Sequence, residues 1–104
     1  MVFARSSVWR FKKGKRDEAF AELDRILNTL TRNTEGFRGY ISLFSRDNED
    51  TATVLTLWRD LESLNASEKG VFAGAIKEVQ ESLDSSPKIE NFRVFSTELF
   101  QRLE

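Results

Sequence analysis

The sequence predicts an α+β domain with the element order β-α-β-β-α-β, and three observations predict it. Four short stretches are rich in β-branched and aromatic residues, as strands are. Two longer stretches repeat apolar residues at helical spacing. The two middle strands are separated only by a short stretch that holds the polar turn Asp47-Asn48-Glu49-Asp50, which argues for an antiparallel hairpin. At 104 residues the chain is one domain's worth of sequence, 1–104.

Val2 to Phe11 reads as the first strand. Its even positions, Val2, Ala4, Ser6 and Val8, are small, and its odd positions, Phe3, Arg5, Ser7, Trp9 and Phe11, are large and mostly aromatic. Alternation puts these two sets on opposite faces of the sheet. Lys12 to Arg16, with Gly14, reads as a basic turn, either a solvated loop or an anion site. Arg16 to about Thr31 reads as a helix whose stripe is Phe20, Leu23, Leu27 and Leu30, with Asp17 and Glu18 in the first turn where acids are favoured. Asn33 to Gly36 is a turn, Phe37 to Ser45 the second strand and Thr51 to Trp58 the third.

Asp60 reads as the N-cap of a short helix from Leu61 to about Ala66, and Ser67 as a cap for the next. Gly70 is placed to break or bend that run. Phe72, Ala75, Ile76, Val79 and Leu83 then form a helical stripe that Asp84-Ser85-Ser86-Pro87 ends. Ile89 to Phe100 reads as the last strand and Gln101 to Glu104 as a tail. This order is the ferredoxin-like arrangement, a four-stranded antiparallel sheet with both helices on one face.

The other face needs a cover if it is apolar. Phe3, Trp9 and Phe11 of the first strand, with Val54 and Trp58 of the third, are the candidates for it. An apolar face of that size is seldom left in water by a monomer, so a homodimer with facing sheets is expected. The other reading puts these aromatics in the core under the helices. Arg5 and Ser7 lie on the same face and need partners, either within the protein or from a ligand.

Composition excludes several function classes. Sixteen basic and seventeen acidic residues leave a net charge of −1, whereas a nucleic-acid binder needs a basic excess. Cysteine and histidine are absent. Their absence removes disulfides, thiolate zinc sites, iron–sulfur clusters, Ser-His-Asp triads and histidine-ligated metals. No cofactor or metal is expected. Arg38 to Phe44 faintly resembles an RNA-recognition signature, but lies on the second strand and lacks basic surroundings. No P-loop or dinucleotide-binding glycine pattern is present. No apolar run approaches the roughly 18 residues of a membrane span, and a cytoplasmic protein without membrane contact is expected. Asn65-Ala66-Ser67 matches a glycosylation pattern that has meaning only after secretion.

Glu35-Gly36-Phe37, the run Thr56-Leu57-Trp58-Arg59-Asp60-Leu61-Glu62-Ser63-Leu64, and Val71-Phe72 carry a resemblance. From Val2 to about Phe100 the chain resembles the antibiotic biosynthesis monooxygenase family of the dimeric α/β barrel superfamily. The resemblance implies a homodimer whose sheets form a barrel, with a pocket in each subunit between sheet and helices. It also implies oxidation of a quinol, anthrone-like or other small aromatic molecule by oxygen without a cofactor. In such enzymes an asparagine and a tryptophan on the third strand and a tyrosine beyond it surround the substrate. Trp58 matches the tryptophan, whereas Val54 and Leu64 stand at the other two positions and cannot hydrogen-bond a phenol. A haem-degrading branch would need an asparagine, a tryptophan and an axial histidine near Ser7, Ser67 and Ile76, and has none of them here.

Strand parity and the resemblance together nominate a catalytic group of Trp58, Ser7 and Arg5, with Arg5 as an electrostatic clamp. Phe3, Trp9, Val54, Thr56, Leu64 and Phe72 are nominated to line the substrate pocket. Trp58 has a second reading as a packing residue between the sheet and the next helix. The alternative to an enzyme is a non-catalytic small-molecule binder or dimerisation protein of the same fold, favoured by the lack of a general base with a pKa near neutrality. An amino-acid-binding regulatory domain shares the strand order, but lacks a glycine cluster here for its ligand site.

Overall fold

The computed structural model describes residues 2–98. Its elements are β1 (Phe3–Arg10), α1 (Arg16–Asn33), β2 (Phe37–Phe44), β3 (Thr51–Trp58), α2 (Leu61–Ser67), a π-helical turn (Glu68–Phe72), α3 (Ala73–Val79), a 3₁₀ turn (Gln80–Ser82) and β4 (Lys88–Arg93). The sheet order is β2-β3-β1-β4 and every pairing is antiparallel. This is the ferredoxin-like α+β fold that the element order predicts.

The two central strands set the register. β1 pairs with β3 from Phe3↔Trp58 to Arg10↔Thr51, and with β4 from Phe3↔Arg93 to Val8↔Lys88. Rows of side chains therefore cross the sheet: Asn91, Arg5, Thr56 and Tyr40 form one, and Ile89, Ser7, Val54 and Ser42 the next. A bulge between Phe37 and Gly39 lets both Phe37 and Tyr40 face the helices.

The large odd positions of β1 point to the helices, not to the open face. Trp9, Phe11, Val54 and Trp58 are buried beneath the helices, and Phe3 is half-buried against the Phe37–Trp58–Leu64 cluster. Trp9 meets Phe72 edge-on at 5.9 Å between ring centres, and Phe11 meets Phe20 at 6.4 Å. Bulky rings fill the gap between a sheet and two helices better than the small even residues of β1 could. The open face carries a different apolar set: Val8, Ile41, Leu43, Leu55, Leu57 and Phe92. Leu43 is 51% exposed and Phe92 42%.

The second helical region departs from the expected capping. Asp60 does cap α2, its Oδ1 accepting from the Ser63 N–H at 2.8 Å. Ser67 caps nothing. Its backbone is helical and its Oγ donates to the Leu64 carbonyl, so the helix runs on into the π-helical turn that contains Gly70. β4 ends at Arg93, short of the expected Phe100, and Phe95 is fully exposed. Leu99, Phe100 and the tail Gln101 to Glu104 lie outside the described residues.

Candidate functional site

Arg5 sits mid-strand in β1, opposite Thr56 on one side and Asn91 on the other. Its side chain rises toward the helices and is 2% exposed. Nε donates to Asn91 Oδ1 at 3.1 Å, Nη1 to Ser67 Oγ at 2.9 Å and Nη2 to the Leu64 carbonyl at 3.1 Å. Ser67 Oγ donates to that same carbonyl at 2.7 Å. Arg5 Cζ lies 5.3 Å from the centre of the Phe72 ring, within cation–π range. Burial lowers the Arg5 pKa and the charge of Glu68 opposes that shift. A guanidinium in such a place remains a cation.

Two tryptophans stand beside hydroxyls two residues earlier on the same strand face. Trp9 Nε1 donates to Ser7 Oγ at 2.8 Å, and Trp58 Nε1 to Thr56 Oγ1 at 3.0 Å. Period-two alternation produces this arrangement, because residues i and i−2 share a face. Each indole N–H is thereby satisfied without leaving the core.

The core is split into two buried clusters. One is built on Trp9, Phe20, Leu23 and Val54, the other on Phe37, Trp58 and Leu64. Where they meet, a cavity of about 40 Å³ remains between sheet and helices. Arg5, Ser7, Trp9, Val54 and Thr56 form its floor with Trp58. Leu23, Leu27 and Leu30 of α1 and Ser67, Phe72 and Ala75 of the second helical region form its roof. A wider groove of about 410 Å³ adjoins it. Trp58, Ser67 and Val71 line both spaces, and Thr34, Glu35, Arg59 and Gly70 are among the residues that edge the groove. The two together make an outer groove of ligand size with a narrow inner end.

The structure brings together most of the nominated residues. Trp58, Ser7 and Arg5 all line the inner cavity, as do Trp9, Val54, Thr56 and Phe72. Phe3 and Leu64 line neither space. Leu64 instead contributes its backbone carbonyl to Arg5, and Phe3 packs at the margin of the second cluster. Trp58 both packs against Phe37, at 4.8 Å between ring centres, and lines the cavity. Sequence reasoning missed Ser67. The signal for it was a polar residue in the helical stripe Leu64, Ser67, Val71 and Ala75, where its neighbours at three- and four-residue spacing are apolar.

The basic turn behaves as a loop brace. Gly14 N–H donates to Asp50 Oδ1 at 3.0 Å, and Arg16 Nη1 donates to the Ser45 carbonyl at 3.3 Å and the Thr51 carbonyl at 3.4 Å. Among the described residues no three His, Cys, Asp or Glu side chains converge to hold a metal ion, and no helix is long and apolar enough to cross a membrane.

The family model for antibiotic biosynthesis monooxygenases matches residues 2–86. The chain belongs to this family. No curated protein matches its sequence significantly. Solved structures share the family's fold with it at low identity. A conserved protein from Methanosarcina mazei Go1 is 21% identical, with a TM-score of 0.75 over 89% of this chain and 92% of that one. Rv0793 from Mycobacterium tuberculosis is 18% identical, with a TM-score of 0.75 over 93% and 98%. A mutant of SnoaB, a cofactor-independent oxygenase from Streptomyces nogalater, is 14% identical, with a TM-score of 0.75 over 92% and 95%.

Proposed function

We propose that this member of the antibiotic biosynthesis monooxygenase family is a cofactor-independent monooxygenase acting on a small aromatic, quinol or anthrone-like molecule. The observation that carries the reading is the site beneath the helices, where Trp9, Trp58 and Phe72 surround a space beside the buried Arg5 cation. The structural likeness to SnoaB, a cofactor-independent oxygenase, supports it.

The chemistry balances without any further reactant. An anthrone-like methylene loses a proton to water to give an enolate, whose carbon bonds to O₂, and the peroxide takes a proton back from water. The resulting peroxide loses water, so that one CH₂ and one O₂ become one C=O and one H₂O. Arg5 would hold the negative charge on the enolate oxygen and Ser7 would offer its hydroxyl. Trp58, which lines both the cavity and the groove, would fix the ring plane, and Trp9 would close the inner end. Two copies pair, in this reading, through the open sheet faces that carry Val8, Leu43, Leu55, Leu57 and Phe92.

One observation favours a second reading, a non-catalytic binder of the same molecules: among the described residues Arg5 is the sole ionisable one lining the inner cavity, and none of them there can take the proton near neutral pH. Oxygen uptake separates the two. With a panel of quinols and anthrones, an enzyme gives uptake that scales with protein and falls in Arg5→Ala. Saturable quenching of tryptophan fluorescence without any uptake assigns the chain to the binders.

A further inference from the structure

We propose that the ligand of this site is an anion: a ring compound bearing an ionised oxygen group that sits in the inner cavity against Arg5. The proposal rests on the reading of the cavity as the functional site and names the class of molecule it takes.

Arg5 is charged and buried, and Glu68, the acid whose charge reaches it, makes no hydrogen bond or ion pair with it among the described residues. The three hydrogen-bond partners of Arg5, Asn91 Oδ1, Ser67 Oγ and the Leu64 carbonyl, are all uncharged acceptors. It makes no ion pair among the described residues, whose ion pairs involve Arg16, Arg25 and Arg59. A guanidinium has five N–H donors. Three are used in those bonds, and among the described residues the other two have no hydrogen-bond acceptor. A charge taken out of water with no counter-charge in contact is costly, and an oxyanion bound beside it offsets that cost more directly than the more distant Glu68.

The shape agrees with the charge. About 40 Å³ has room for a few water-sized groups, which suits a carboxylate or an enolate oxygen with a water but not a fused ring. The adjoining groove, about 410 Å³, is within the range of ligand pockets and suits the ring. Its own cation, Arg59, is already held by Glu35 at 3.3 Å and Asp60 at 3.0 Å. The selection for negative charge therefore lies at the inner end, with Arg5. Ser67 lines both spaces and bonds Arg5, so it marks where ring and charged group would join.

The test is binding, followed by calorimetry and tryptophan fluorescence, and it needs no turnover. Naphthoate is compared with its neutral amide, and hydroxynaphthoquinone, which ionises at its enol, with its methyl ether. Wild type is expected to bind at least one of the two anions about tenfold or more tightly than its neutral counterpart, given what a charged hydrogen bond contributes. The pair that shows the preference identifies the carboxylate or the enolate as the charged group. Arg5→Gln should erase the preference and Arg5→Lys should keep part of it. The wild-type comparison stands even if a variant fails to fold. Equal binding of the charged and neutral members of both pairs, or no binding of either anion, overturns the proposal. Oxygen uptake with a neutral quinol would leave the monooxygenase reading intact in that event, so the two can fail separately.

Discussion

Gly36 and Ser63 meet so closely that only a glycine fits between the end of α1 and the start of α2. Gly36 has a φ of +86°, and a Cβ built there would overlap Ser63 Oγ and lie 2.6 Å from Ser63 Cβ. The Gly36 carbonyl also accepts from the Arg59 N–H at 2.7 Å, which ties the turn before β2 to the end of β3. Gly36→Ala should therefore meet two penalties, a left-handed backbone and an overlap. Together they cost about 2–4 kcal/mol. Urea denaturation of Gly36→Ala, Ser63→Gly and the double variant measures the overlap alone. The cycle is expected to show a coupling of about 1 kcal/mol or more, and additive losses would place the whole cost in the backbone.

The Glu35-Gly36-Phe37 run was legible in the sequence, although the reason for its glycine was not, because Ser63 is far along the chain. The element order was equally legible, since each helix and strand carries its own periodicity. Which face of β1 meets the helices was not. Both faces of that strand are apolar enough to be buried, and parity separates Phe3, Arg5, Ser7, Trp9 and Phe11 from Val2, Ala4, Ser6 and Val8 without saying which set points inward. Ring size decides it, because the layer under the helices needs volume. Ser67 escaped notice as a partner of Arg5 since the contact joins residues on different elements, and only the register of β1 against β3 and β4 positions the guanidinium beneath α2.

Ser7 and Trp9 should show the asymmetry of a buried hydrogen bond. Ser7→Ala leaves the Trp9 indole N–H without an acceptor, whereas Trp9→Phe removes the donor. Ser7→Ala is expected to cost about 1–3 kcal/mol for a change of one hydroxyl. In a Trp9→Phe background the same serine change should cost less. Equal costs in the two backgrounds, measured by chemical denaturation, would mean the bond contributes nothing.

Asp60 makes the domain acid-sensitive. Its carboxylate accepts from the Ser63 N–H and from Arg59 Nε, and these bonds hold its pKa at about 2, below the ordinary 3.8. A folded-state pKa below the unfolded one means the carboxylate stabilises the fold above pH 3.8, and that the contribution is lost as pH falls toward 2. Asp60→Asn keeps a capping oxygen but cannot titrate. The stability gap between wild type and Asp60→Asn should shrink steadily over that interval in urea melts, and a gap independent of pH would remove Asp60 from the acid response.

The open sheet face should govern assembly and not folding. Leu43 and Phe92 are exposed on it, so charges placed there desolvate no core. Leu43→Lys with Phe92→Lys is expected to leave the melting temperature of the monomer nearly unchanged while halving the mass seen by sedimentation. A wild-type monomer in the same experiment would refute pairing through this face.

Phe72 keeps a ligand's ring out of the inner cavity. It closes the π-helical turn, packs edge-on against Trp9 and lies against the Arg5 guanidinium, so it fills the space between the Trp9 ring and the Arg5 charge. Gly70 lies in that turn, Gly74 just beyond it, and a Cβ at either would meet nothing, which leaves the segment free of local wedging when the ring moves. Phe72→Ala should cost about 2 kcal/mol, less than a fully buried phenylalanine because the ring is only half-buried. The same change enlarges the inner cavity. Anthracene carboxylate should then gain affinity relative to benzoate, with Phe72→Leu falling between the two proteins. An unchanged ratio of the two affinities, read by tryptophan fluorescence, would show that something other than Phe72 keeps the ring in the outer groove.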